Sequence, residues 1–286
     1  MLRTRLWMGA VLVVLVVAVL VVDQHLAPWY PFLFLLVQAI GGLAVLELRR
    51  LLPATWRPSA WLSQAAVALL IAANWPAHVF AARSLDRDAW HWVLGVFAAV
   101  VLAAFLVEMA RFREPGQSVV RMAFTVWLAG YLGLLPSFFV QPRWTTWTEA
   151  AGGVDRGTVA LALMAFVPKC GDIGAYFTGR FLGRHRLAPV LSPKKTWEGA
   201  AGALAASILA AAGINRLGPV LPSWWQAVGF GITVGVAGLL GDLAESLIKR
   251  DCGHKDASQA VPGFGGILDV VDAVIFAAPV AYLWLI

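Results

Sequence analysis

Charge is scarce in this chain: 13% of its 286 residues are Asp, Glu, Lys or Arg, and only 16 are acidic. Combined with 60% hydrophobic residues, that scarcity excludes a disordered segment, an acidic or basic tail, and an ordinary soluble domain. Cysteine is scarcer still, with Cys170 and Cys252 the two. Two are too few for a disulfide framework, and Cys252 with His254 is half a zinc site lacking a second pair. No polar linker separates soluble domains, and no internal repeat of the transporter kind is visible. One membrane domain covering residues 1–286 is therefore expected, with residues 1–150 mainly scaffold and 158–286 carrying the chemistry.

What the chain does have is long apolar runs, giving a mean hydropathy of +0.76. Windows of about 20 residues are the length that crosses a bilayer as helix. They predict an all-α polytopic membrane protein with nine spans: Leu6–Val22, Trp29–Glu47, Trp61–Phe80, Trp90–Ala110, Val119–Val140, Thr158–Gly179, Trp197–Asn215, Trp224–Ile248 and Ile267–Leu285. Asn74 and Pro76 interrupt the third. Trp29, Trp61, Trp90, Trp197, Trp224 and Trp284 fall near span ends, where an interfacial belt places them. Arg3 and Arg5 before an apolar run resemble a signal peptide, but the run is long, no A-x-A site follows, and a second span begins almost at once. Counting Lys and Arg in alternate loops gives sixteen against five, which predicts a cytoplasmic N-terminus and the loops after the sixth and eighth spans on the same face. The net charge of +6 is spread along that face, so anionic headgroups explain it better than nucleic acid does.

The few acids are concentrated where they cost most. Asp242 and Glu245 are i, i+3 on the eighth span, and Asp269 and Asp272 are i, i+3 on the ninth. An ionised carboxylate in a span costs at least about 2.5 kcal/mol unless paired. Two such pairs aimed at one spot suit a hard divalent cation such as Mg²⁺, with substrate phosphate filling its remaining positions. Lys249, Arg250 and Lys255 in the intervening loop suit anionic oxygens. Gly231, Gly235, Gly238, Asp242, Glu245 and Lys249 share one helix face, predicting burial against other spans. The cluster Pro262, Gly263, Phe264, Gly265 and Gly266 opens the ninth helix and offers its free N–H groups one turn from Asp269. Upstream, Lys169 and Asp172 are i, i+3 beside Pro168, whose ring loosens a helix, and Asp172, Tyr176 and Gly179 continue that face to Arg180. Ser192 before Pro193 predicts a helix start with Lys194 and Lys195 in its first turn, a cradle for phosphate. Glu47 and Glu108 are expected to be interfacial anchors beside Arg49 and Arg111.

Ser246, Lys249, Arg250, Lys255, Asp256, Ser258, Pro262, Gly265, Gly266, Asp269 and Asp272, at their spacings, resemble the signature of the phosphatidate cytidylyltransferases, the CDP-diacylglycerol synthases. Asp172 to Tyr176, Gly179, Arg180, Gly183, and Ser192 through Lys194, Lys195, Thr196 and Glu198 to Gly199 resemble the same family. The resemblance implies a multi-pass inner-membrane enzyme that uses CTP and Mg²⁺ to convert phosphatidate to CDP-diacylglycerol and pyrophosphate in phospholipid biosynthesis, as a homodimer. It implies metal at Asp242, Asp269 and Asp272 with Glu245 nearby, Lys249 in catalysis, and substrate contacts from Asp172, Ser192, Lys194, Lys195, Thr196, Arg250, Lys255 and Asp256. Phe264 and Val270 depart from it, standing where the family has His and Arg. They motivate an alternative, a CTP-dependent transferase or kinase acting on another membrane lipid or a polyprenyl substrate. A transporter is a third reading, disfavoured because the charges gather toward one face.

Overall fold

A computed structural model describes residues 2–79, 88–145 and 154–286 except 256, 259, 262 and 264, with residues 2–6 described by backbone alone. Arg83, Arg87, Asp256, Pro262 and Phe264 therefore lie outside the described residues. The chain is built from α1 (Leu2–Asp23), α2 (Pro31–Leu51), α3 (Ala60–Ala72), the short α4 (Pro76–Val79), α5 (Ala89–Arg111), α6 (Ser118–Ala129), α7 (Leu135–Val140), α8 (Arg156–Leu182), α9 (Trp197–Asn215), α10 (Trp224–Asp251) and α11 (Leu268–Leu285). Nine helical segments among the described residues are long and apolar enough to cross a membrane, and their limits agree with the sequence windows to within a few residues. The protein is a polytopic all-α membrane protein.

Local chemistry explains the interruptions. The third span breaks where Asn74 turns back to donate its amide to Leu70 O and Ile71 O, both at 3.0 Å, before Pro76 starts α4. Between α6 and α7 the helix widens into a π-turn at Gly130–Leu134, so one segment runs from Ser118 to Trp144. Such turns shift the side chains that follow them. The helix α8 passes through Pro168 without a break.

Helices α8 and α9 approach closely because both are lined with small residues. A β-carbon on Gly174 would lie 2.5 Å from Ala206 Cβ, and one on Gly202 would lie 2.0 Å from Thr178 Oγ1. The expected face of α10 is buried in the same way: a β-carbon on Gly231 would come within 2.6 Å of Ile208, and one on Gly238 within 3.0 Å of Pro168. Together α8, α9, α10 and α11 form a closely packed unit.

The described ends of the first, third and fifth spans meet: Trp75 donates its indole N–H to Trp29 O at 2.7 Å, and the His78 ring stacks on Trp144 with centroids 4.4 Å apart. There Arg143, fully buried at its side chain, donates to Asp155 at 3.2 Å and to Thr158, and lies 4.3 Å over the Tyr30 ring. At the other end Glu47, near the C-terminus of α2, and Lys249, near that of α10, meet the start of α11, and Lys169 from the middle of α8 reaches Asp272 of its first turns.

Two anchor assignments change. Arg49 donates to Pro58 O at 3.0 and 3.2 Å and does not pair with Glu47, and Glu108 accepts from Arg121 at 2.8 and 2.9 Å, not from Arg111. Glu47 and Arg49, two apart on a helix, point to different sides; Glu108 and Arg111, three apart, lie within reach, but the buried Glu108 takes two N–H groups of Arg121 of α6 instead.

The expected helix start at Ser192 is also overturned. Ser192–Thr196 is a strand, β2, paired antiparallel with β1 (Arg186–Ala188), and the helix begins five residues later at Trp197. Thr196 is the true cap, its hydroxyl accepting from Gly199 N at 3.0 Å. Two lysines in a first turn oppose the helix dipole, whereas the start at Trp197 places Glu198 there instead.

Candidate active site

Three lysines from three different elements hold five carboxylates at the end where α2, α8, α10 and α11 meet. Lys169 of α8 reaches Asp172 at 2.9 Å and Asp272 of α11 at 3.1 Å. Lys249 of α10 reaches Glu245 at 2.9 Å and Asp269 at 2.5 Å. Lys195 of β2 reaches Asp242 at 2.7 Å and donates to Leu239 O at 3.3 Å. Strand alternation decides which lysine enters: Lys195 is half-buried on the inner side, and Lys194 beside it is exposed.

Burial sharpens these contacts. Glu245 is 1% exposed and Asp272 4%, and Lys249 is also buried. An ion pair so enclosed is expensive to break, since removing one partner leaves an uncompensated charge costing about 3–5 kcal/mol. Five carboxylates against three ammoniums leave a formal excess of two negative charges in the cluster. Asp242, Glu245 and Asp272 bring one oxygen each to within 4.8 Å of one another, and Glu245 Oε1 is buried with no hydrogen-bond partner among the described residues. An all-oxygen donor set, a double negative excess and an unpartnered buried oxygen fit a hard divalent cation.

The sequence placed Asp242, Asp269 and Asp272 together. The structure brings Asp242 and Asp272 together with Glu245, and turns Asp269 to another task. Its carboxylate accepts from Gly266 N at 2.6 Å while pairing with Lys249. Asp172 joins through Lys169, whereas Tyr176 accepts from Arg180 at 2.7 Å on an exposed surface. Thr196 caps α9, and Ser192 is half-buried in β2. Arg250 and Lys255 are exposed, with Arg250 donating to His254 O at 3.3 Å.

A residue expected to be an anchor organises the loop. Glu47, from the second span, is 4% exposed and accepts from Ser258 Oγ at 2.7 Å, Ile267 N at 2.9 Å and Leu268 N at 2.9 Å. It satisfies the start of α11 as a capping side chain does, but from more than 200 residues away. The N–H groups expected to be free for phosphate are therefore held by Glu47 and Asp269. The glycine pair makes room for them. A β-carbon on Gly266 would lie 2.5 Å from Glu47 Oε2, and one on Gly265, which has φ +112°, would lie 2.6 Å from Asp269 Oδ2. An acid at the end of the second span and a glycine pair opening the ninth were the available signals, though nothing in the sequence joined them.

Comparison with known proteins adds to this geometry. A model of the family described as Cytidylyltransferase family matches residues 3–286. The chain is 36% identical over 178 residues to a phosphatidate cytidylyltransferase of Synechocystis sp., a match covering 54% of this chain and 59% of that protein. It is 35% identical over 205 residues to phosphatidate cytidylyltransferase 5, chloroplastic, of Arabidopsis thaliana, covering 64% and 50%. A phosphatidate cytidylyltransferase of Staphylococcus epidermidis is 31% identical over 209 residues, covering 71% of this chain and 74% of the relative. The chain thus spans only 59% and 50% of the lengths of the first two relatives.

Proposed function

Because the chain belongs to the cytidylyltransferase family, we propose that it transfers the cytidylyl group of CTP to phosphatidate, giving CDP-diacylglycerol and pyrophosphate. The observation that carries this reading is the convergence of five carboxylates on three lysines, with a double negative excess, at one end of a membrane bundle. A monoester phosphate is anionic near neutral pH and needs no general base. Its oxygen attacks the α-phosphorus of CTP, a P–O bond forms, the bond to the β-phosphate bridging oxygen breaks, and pyrophosphate carries the electron pair away. The protein's part is positioning and charge neutralisation.

Each residue then has a task. Asp242, Glu245 and Asp272 would hold Mg²⁺, which when bound supplies charge stabilisation to the reacting phosphates. Asp269 fixes Lys249 and the loop. Lys169, Lys195 and Lys249 stand beside the carboxylates and exchange them for phosphate oxygens as substrates bind, with Lys194, Arg250 and Lys255 exposed around the entrance. The site end faces the cytoplasm, where CTP is, and the protein is a homodimer of the inner membrane. Mass measurement in detergent tests the dimer.

One observation favours a second reading. Val270, half-buried in the first turn of α11, supplies no cation where the family signature has Arg, which suits a different lipid acceptor. Purified protein with labelled CTP, Mg²⁺ and a panel of phosphatidate, other phospholipids and polyprenyl phosphates decides between them. Label in CDP-diacylglycerol supports the main reading, and folded protein that labels no phosphatidate overturns it.

A further inference from the structure

Beside the charged cluster, α6, the end of α10 and the loop that follows α2 leave a groove of about 340 Å³, within the range of small-molecule pockets. Leu52, Trp56, Phe124, Trp127 and Ile248 make its walls apolar, and Cys252 lines its edge. An aromatic file runs inward from it. Trp56 stacks on Phe124 at 5.8 Å, Phe124 meets Trp127 edge-on at 5.8 Å, and Trp127 stacks on Tyr131 at 5.9 Å. Tyr131 sits in the π-turn and is 8% exposed, and its hydroxyl has no hydrogen-bond partner among the described residues. The charges that act on it are Asp272, Glu245 and Lys169, all members of the cluster. The file is thus apolar at its outer end and polar at its inner end.

From this juxtaposition, and resting on the activity proposed above, we infer that the groove holds an acyl chain of the anionic lipid substrate, with Tyr131 donating a hydrogen bond to an oxygen near its headgroup. The alternative occupant of a groove so close to a phosphate-handling site is the nucleotide. Asp251, an exposed acid on the groove wall, repels a triphosphate and is indifferent to a hydrocarbon. Aromatic walls suit the chain, and an unpartnered buried hydroxyl suits an ester or phosphate oxygen. The fifth span thereby contributes to substrate binding as well as to scaffold.

The native thiol at the groove supplies the test. Burial, together with Asp251, pushes the Cys252 thiol up, so labelling with N-ethylmaleimide is run at mildly alkaline pH on the natural protein in detergent micelles. Peptide mass spectrometry reads Cys252 and Cys170 separately. Dioleoyl phosphatidate should slow Cys252 labelling several-fold, while CTP and inorganic phosphate leave it unchanged. In turnover, Trp127→Ala should raise the KM for phosphatidate about tenfold and leave that for CTP within about twofold, with Trp127→Phe restoring most of the difference. Equal labelling with and without phosphatidate overturns the groove, whether or not Trp127→Ala folds. Protection by phosphatidate without CTP-dependent turnover of the natural chain supports the groove and overturns the activity instead.

Discussion

Replacing Glu47 tests how the second span reaches the chemistry. Its carboxylate is the acceptor for Ser258 Oγ, Ile267 N and Leu268 N, and it is buried. In Glu47→Ala all three donors lose it. An orphaned buried donor costs about 1–3 kcal/mol, but the space left admits water, so the lower part of that range applies to each and the sum is about 3–5 kcal/mol. Glu47→Gln is the sharper probe. One amide oxygen can still serve Ser258 and Ile267, while the amide nitrogen faces the Leu268 N–H, and the charge that complements the helix start is gone. That variant should lose about 2–3 kcal/mol. Because Asp269 and Asp272 lie in the first turns of α11, a shift of about 1 Å at its start should lower turnover about 100-fold. The assay is turnover of labelled CTP in detergent with a Mg²⁺ titration, accompanied by thermal unfolding and hydrogen exchange at Ile267 and Leu268. Glu47→Gln protein with the parent's turnover, melting temperature and exchange rates would refute the reasoning.

Asp272→Asn should weaken Mn²⁺ binding, followed by paramagnetic resonance without substrate, at least about tenfold, whereas Asp269→Asn should retain the ion and still lose turnover; equal metal affinities for the two would undo the division of tasks drawn from their partners. A cysteine placed near Arg186 should react with an impermeant reagent only from the cytoplasmic side and one near Arg143 only from the other, and labelling of both from one side would break the sixteen-to-five orientation. Val270→Arg should change the KM for CTP by about tenfold or less and leave the lipid product as it is; a switch of lipid acceptor would favour the second reading. Gly231→Leu should destabilise by about 3 kcal/mol or more, because its side chain meets the α9 backbone at Ile208, and a parent-like melting temperature would show that the helices separate readily.

The sequence alone determined the spans, because a bilayer demands an uninterrupted apolar length and each segment declares it locally. It also determined which face of α10 is buried, since glycine and acid recur at helical spacing, and that its acids would meet those of α11. The hairpin, the loop and the contribution of the first half were decided by tertiary structure. Ser192-Pro193 has the local chemistry of a helix start, but pairing with Arg186–Ala188 makes it a strand and leaves Thr196 to cap the helix. Glu47 looks like an interfacial anchor until Ile267, 220 residues later, is brought beside it. Tyr131 has no polar neighbour in sequence, and only the tertiary fold sets it among the charges of Asp272, Glu245 and Lys169. Periodicity reports which side of a helix is buried, but it holds no information about what that side meets. The distinction between Asp269 as a brace and Asp272 as a member of the oxygen cluster therefore belongs to the fold.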